Sequence, residues 1–211
     1  MTERLNEHPP KNNATTNERP QKTNAKLKLG FAMCGSFCTH SHSLGVMKAL
    51  ADVYDITPII SYAAASTDTR FGTKEALVEK IRSVCQNDII STIVEAEKLA
   101  ASPLDLMLIC PCTGNTAAKL ANGITDTPVT MAAKAHVRTD RPLVIALASN
   151  DAMSANMRNI GTLMQRKNIY FVPMRQDDIV HKPHSLVADF DKCALSLELA
   201  AEGRQARPLF L

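Results

Sequence analysis

The sequence has no tryptophan, and its few phenylalanines and tyrosines make up only 4% of the chain. A basic stripe interleaved with aromatics, the footprint of a single-stranded nucleic-acid platform, is absent. No excess of one charge replaces it: the formal net charge of +3 is too small to hold a polyanion. No apolar run approaches the length needed to cross a bilayer, and the N-terminal region has no signal-peptide core. The expectation is a cytoplasmic protein that binds neither nucleic acid nor membrane. Six cysteines are present, but several fall inside apolar segments, which reads as reduced thiols rather than a disulfide framework.

The chain has 211 residues, 45% of them hydrophobic and 21% charged. That is enough for one good core, with little room for two. Residues 1–26 are polar, with Leu5 the only large aliphatic after the initiator, and are expected to be a disordered extension. A single α/β domain is expected over residues 27–211.

The informative stretch is residues 104–126, LDLMLICPCTGNTAAKLANGITD. A continuous apolar run over 106–110 predicts a strand buried on both faces. Pro111 is expected to stop its ladder, having no N–H to donate. Small polar residues from Cys112 to Thr116 open into a helix that Gly123 ends. Such a strand–turn–helix corner presents free N–H groups and hydroxyls to an anion. An ordinary βα connection is the alternative, although Thr113, Asn115 and Thr116 are more polar equipment than a plain turn needs.

The same grammar runs along the chain. A first strand over 27–34 empties into Gly35-Ser36, a candidate phosphate cradle that is neither a G-x-G-x-x-G nor a P-loop. Thr39 or Ser41 caps a helix carrying Leu44, Met47 and Leu50. A second strand over 55–62 leads into a polar loop at 63–72 with Ser66, Thr67, Thr69 and Arg70. A helix with Leu77, Ile81 and Val84 follows. A short third strand is expected over 88–94, with Glu95 and Glu97 just beyond it as candidate acid–base carboxylates, or as solvated charges.

Pro128 begins a helix over 128–137. A buried strand over 143–148 ends at Ser149-Asn150-Asp151. Met153, Met157, Ile160 and Met164 predict an apolar helix stripe facing the core. A final strand over 168–173, a polar loop over 176–184 and a last helix carrying Leu186, Phe190, Cys193 and Leu197 complete the chain. Strands alternating with helices predict a three-layer, doubly wound α/β sandwich with a parallel sheet, Rossmann-like or flavodoxin-like. Polar clusters at Gly35-Ser36, residues 61–70, residues 112–116 and Ser149-Asn150 would then gather at one sheet edge, where a phosphate-bearing planar cofactor fits. A metal centre is the competing use of Cys34, Cys38, His40, His42, Cys110 and Cys112, but their spacings are not those of zinc fingers, so no metal is expected.

The stretch PCTGNTAAKLANGITD resembles the P-A-T-x-N-T-x-x-K-x-A-x-G-x-x-D signature of the flavoproteins that include the homo-oligomeric flavin-containing cysteine decarboxylases. Pro111, Thr113, Asn115, Thr116, Lys119, Ala121, Gly123 and Asp126 stand in register. Segments such as GFAMCGSFCTH, TPIISYAAASTDTRFG, ASNDAM and NIYFVPMRQDDIVHKPHSLVA more narrowly resemble the B subunits of dipicolinate synthase from spore-forming bacteria, from about Lys28 to the C-terminus. The broad resemblance implies bound FMN, with Gly35 and Ser36 at the first turn, Ser61 at the second, Thr113, Asn115 and Thr116 in the central motif, and Ser149 beside them. Asn150 and Met153 match the Asn-x-x-Met half of the decarboxylases' P-x-M-N-x-x-M motif. Leu147, Ala148 and Ser149 replace Pro-x-Met, and Val94-Glu95 stand near the place of those enzymes' catalytic histidine. These departures point away from cysteine-type decarboxylation.

The narrow resemblance implies oxidation of dihydrodipicolinate to dipicolinate in the mother cell, beside the dinucleotide-binding A subunit of dipicolinate synthase, which carries NAD(P). Arg70 and Asn150 are the expected carboxylate holders, Glu95 a candidate acid–base group, and a homo-oligomer the expected assembly. A flavin-dependent decarboxylase of another thiol-containing acid, and a non-catalytic protein that binds substrate or stabilises the complex, are the alternatives.

Overall fold

The computed structural model describes residues 26–211; the expected extension lies almost wholly outside the described residues. Four strands with nearly unbroken burial form the middle of the sheet: β1 (Lys28–Met33), β2 (Asp55–Ile60), β3 (Leu106–Cys112) and β4 (Leu143–Ser149). They pair in parallel in the order β2-β1-β3-β4, and β5 (Ile169–Phe171) pairs in parallel with the first half of β4. Order 2-1-3-4-5 is that of a flavodoxin-like doubly wound sheet, with its switch point between β1 and β3.

The period-2 alternation of the strands divides the core in two. Leu29, Phe31, Met33, Leu106, Leu108 and Val144 face α1 (His40–Ala51), α3 (Lys74–Val84) and α8 (Cys193–Ala201), where Met47, Ile81 and Leu197 meet them. Ala32, Met107, Ile109, Ile145 and Leu147 face the opposite layer. That layer is α4 (Ile93–Glu97), α5 (Gly114–Ala121), α6 (Pro128–Val137) and α7 (Met157–Met164), which contribute Ala96, Ala117, Val129 and Ile160. The expected three-layer sandwich is what forms. Among the described residues no helix is long and apolar enough to cross a membrane.

Four local expectations are corrected. First, Pro111 does not end β3, which runs to Cys112 with a register shift between Ile109 and Cys112. The Pro111 carbonyl accepts from the Cys34 N–H at 3.1 Å, so the sheet uses its acceptor where the donor is missing. Second, the strand expected over 88–94 reduces to Ile90, bridged to Ile59 on the outer edge of β2. Thr92 instead starts α4 with a capping box: its hydroxyl accepts from the Glu95 N–H while the Glu95 carboxylate accepts from the Thr92 N–H.

Third, Leu186 lies not in the last helix but in a strand, β7 (Leu186–Ala188). This strand pairs antiparallel with the end of β4 and with β6 (Met174–Arg175). Fourth, of the methionine stripe only Ile160 is fully buried, with Leu163 beside it; Met153 and Met157 are exposed. Residues 63–66 of the expected polar loop, with Tyr62 before them, coil into a short helix, α2 (Tyr62–Ser66).

Candidate functional site

Above the carboxyl ends of β1, β3 and β4 lies an open cleft of about 840 Å³, within the range of small-molecule and cofactor sites. Its first rim is the β1–α1 turn, Gly35 to Thr39. That turn is held by its own bonds: His40 donates from Nε2 to the Cys34 carbonyl at 2.8 Å, and the Thr39 hydroxyl donates to the Ser36 carbonyl at 2.8 Å. The Ser36 hydroxyl lines the cleft and has no partner among the described residues. Burial holds His40 below the ordinary histidine range, so near neutral pH it is an uncharged donor.

The floor is the N-terminus of α5. Thr113 caps it by accepting from the Thr116 N–H at 3.2 Å, which leaves the N–H groups of Gly114 and Asn115 as orphan donors of the first turn. Gly114 is buried against the β4–α7 connection, and a Cβ there would stand 2.6 Å from Asn156 Nδ2 and 2.9 Å from Asp151 Oδ1. The backbone at this helix end therefore approaches as only a glycine can. At the other end Gly123 (φ +71°) closes a Schellman turn, with Ile124 N–H donating to Lys119 O and Gly123 N–H to Leu120 O.

The third wall is built on Asp151. Its carboxylate accepts from the Ser149 hydroxyl at 2.6 Å and from Asn156 Nδ2 at 2.8 Å. Those bonds, Ser149 first, hold Asp151 below the usual carboxylate range. Asn159 donates to Asn156 Oδ1 at 2.8 Å, so the network extends along the first turns of α7. Arg70 and Phe71 face it across the cleft, with the Arg70 guanidinium 4.8 Å from the Phe71 ring centroid. Lys182 is also in the lining, with its Nζ 2.7 Å from Asp177.

A family model described as Flavoprotein matches residues 17–195. The B subunit of dipicolinate synthase from Bacillus subtilis (strain 168) is 40% identical over 186 residues, spanning 87% of this chain and 93% of that relative. The chain belongs to the flavoprotein family, in the branch of the dipicolinate synthase B subunits. The crystal structure of the dipicolinate synthase B subunit from Bacillus halodurans C aligns with a TM-score of 0.82 at 39% identity, covering 89% of this chain and 97% of that one. The FMN-dependent cysteine decarboxylase SpaF, 22% identical with a TM-score of 0.64 over 84% of this chain and 98% of its own, shares the fold.

Within this flavoprotein, Gly35, Ser36, Arg70, Thr113, Asn115, Ser149 and Asn150 come together around the cleft. Ser61, Thr116 and Glu95 do not line it. Ser61 is buried as the cap of α2, accepting from the Ala64 N–H at 3.2 Å. The Thr116 hydroxyl donates to Cys34 Sγ at 3.3 Å and accepts from Thr113, which ties β1 to α5; burial pushes the Cys34 thiol up to about 11. Glu95 is exposed at the α4 cap, where its bonds to the Ser91 and Thr92 N–H groups hold it below the usual range.

The hydroxyls of Thr113 and Ser149 reach the lining but are engaged within it. Ser36, Asn115 and Asn150 present side chains without partners among the described residues. Sequence reasoning passed over Asp151, Asn156, Arg158 and Asn159. The i,i+3 pair Asn156/Asn159, one turn ahead of Ile160 and Leu163 on the same side of α7, is the signal that could have found them. Among the described residues no group of three or more His, Cys, Asp or Glu side chains is placed to hold a metal ion.

Proposed function

We propose that this chain acts as the B subunit of a dipicolinate synthase, oxidising dihydrodipicolinate to dipicolinate with FMN in the cleft at the β1/β3 switch point. The observation that carries this reading is the pair of βα turns there: unpartnered donors at Ser36, Gly114 and Asn115 converge on one open cleft. Two orphan N–H groups, a hydroxyl and the positive end of a helix suit a phosphate. The close backbone approach at Gly114 suits a cradle rather than a filled turn.

Ser36, Gly114 and Asn115 would hold the phosphate, and Phe37 and Phe71 line the cleft as apolar surface for a planar ring. FMN, when bound, would supply a hydride acceptor at the dihydropyridine ring. The chain's own residues bind and orient the diacid: Arg70 pairs with a carboxylate in the bidentate manner open to a guanidinium, and Asn150 donates its amide to the second. Asp151, ionised near neutral pH, keeps Ser149 and Asn156 in place and is the carboxylate of the third wall that can receive the ring proton. Aromaticity of the product supplies much of the driving force, so positioning is the main demand on the protein. In this reading the chain works in the mother cell of a sporulating bacterium. It assembles with copies of itself and with the dinucleotide-binding A subunit of the synthase, which carries NAD(P).

The test is an absorbance spectrum of the purified chain with and without FMN and the A subunit. Flavin bands that bleach on adding freshly made dihydrodipicolinate support the redox step on this chain. A chain that takes up no flavin, yet is required for nicotinamide-dependent oxidation by the A subunit, would make it a substrate-binding partner and overturn the reading.

A further inference from the structure

The diacid brings two negative charges into the cleft, and each must meet compensating charge there or forfeit its hydration. Three cations line the cleft: Arg70, Arg158 and Lys182. Lys182 is already compensated by Asp177 at 2.7 Å. Asp151 is satisfied by Ser149 and Asn156 rather than by a cation. That leaves two guanidinium groups with no ion pair and no hydrogen-bond acceptor among the described residues. Arg70 lies against the Phe71 ring, a contact through its face that leaves its N–H edge free.

Where these two arginines stand matters as much as their number. Arg70 follows β2 and Arg158 follows β4, and the order β2-β1-β3-β4 puts them on opposite flanks of the β1/β3 crevice. The two strand ends are separated by three strand spacings, roughly 14 Å, and both arginines line the one cleft between them. Arg158 also springs from a fixed point. The start of α7 is held to the third wall by Asn156 on Asp151, and the Arg158 carbonyl accepts from the Thr162 hydroxyl at 2.8 Å. A pyridine-2,6-diacid carries its carboxylates on either side of the ring nitrogen, which is the arrangement two flanking guanidiniums match.

We propose that Arg158 is the second carboxylate-binding residue of this cleft, opposite Arg70, and that the pair selects a dicarboxylate over a monocarboxylate. Asn150 then contributes a hydrogen bond but no charge. The inference rests on the reading that the diacid binds in this cleft, and it goes beyond it by naming the residue that sets diacid specificity.

The test is calorimetric titration of the full chain, loaded with FMN and bound to the A subunit, with pyridine-2,6-dicarboxylate and with pyridine-2-carboxylate. The wild type should bind the diacid more tightly by roughly 10- to 100-fold, the scale of one charge-assisted contact. Arg158→Met and Arg70→Met should each abolish that preference, Arg158→Lys should restore part of it, and Lys182→Met should leave it intact. Flavin absorbance and melting temperature of each variant are read alongside, and if Arg158→Met does not fold, Arg158→Lys alone must show the reduced ratio. Retention of the wild-type ratio in Arg158→Met overturns the proposal, as does loss of FMN in place of loss of diacid preference. A wild-type complex that binds neither acid overturns the underlying reading too, whereas diacid binding without any dependence on Arg158 overturns only this inference.

Discussion

A methyl group on Gly114 would stand 2.3 Å from the Ser149 hydroxyl oxygen. The first turn of α5 and the end of β4 meet there with no side chain between them. The hydroxyl cannot rotate away freely, because it donates to Asp151 at 2.6 Å.

This contact reverses the usual sign of a glycine substitution. In the first turn of a helix, Gly→Ala ordinarily stabilises through backbone entropy. Here Gly114→Ala should destabilise by about 2 kcal/mol, the scale of overpacking with a displaced hydrogen bond, and should weaken FMN uptake. Urea unfolding of the full chain measures the first effect and flavin titration the second; a more stable variant would contradict the packing described.

Asp151 carries an acid-sensitive share of the stability. Its pKa is depressed in the folded protein by Ser149 and Asn156, so the native state binds its proton less readily than the unfolded chain. That stability is present above the unfolded value of about 3.9 and is lost as pH falls through the lower folded one. Asp151→Asn should cost about 1 kcal/mol at pH 7, and the gap to wild type should narrow below about pH 4. Urea midpoints across that range would show it; a constant gap would remove the linkage.

His136 predicts a second pH dependence, at milder acidity. It is 3% exposed, donates from Nε2 to the Pro142 carbonyl at 2.9 Å, and has no partner for Nδ1 among the described residues. Burial lowers its pKa, so its contribution is complete above the unfolded value of about 6.5 and declines as pH falls below it. His40, shifted in the same direction by burial, adds to this slope. His136→Gln, which keeps a donor for Pro142, should flatten the fall in melting temperature between pH 7 and 5 without abolishing it. Identical slopes in variant and wild type would show that His136 is not the sensor.

Glu95 separates a cap from a catalyst. Glu95→Ala removes the carboxylate that accepts from the Ser91 and Thr92 N–H groups, leaves the Thr92 half of the α4 capping box, and should cost about 1 kcal/mol, while substrate turnover by the complex stays at the wild-type level. Steady-state kinetics beside a melting curve reads both; a collapse in kcat at unchanged stability would restore Glu95 to the acid–base role.

Where local rules are strong, the elements were legible. Pro128 after Thr127 starts α6, and residues 128–137 are its observed extent. Gly123 ends α5 by the turn its φ permits. The continuous apolar runs of β1, β3 and β4 needed no partner to be recognised, since only a strand covered on both faces reads that way. The Thr92-x-x-Glu95 capping box was equally local, but it lay beneath an apolar run that also fits a strand, and the cap won because it satisfies N–H groups that the sheet edge beyond β2 leaves open. Leu186 to Ala188 went unread because three residues carry no period; they are a strand only because Ala148 and Ser149 of β4 offer them an unpaired edge.

Residue order alone was enough to dictate the layers, the winding and the chemistry of the turn at Thr113 to Thr116, because these depend on neighbours within a few positions. It could not say which of those polar groups would remain free. Thr113 is engaged with Thr116, Thr116 with Cys34 and Ser149 with Asp151, Ser61 and Glu95 cap helices, and Arg70 and Arg158, 88 positions apart in the sequence, line one cleft. That selection belongs to the folded chain, because a hydrogen-bonding group is available to a ligand only when the fold has brought no nearer partner to it.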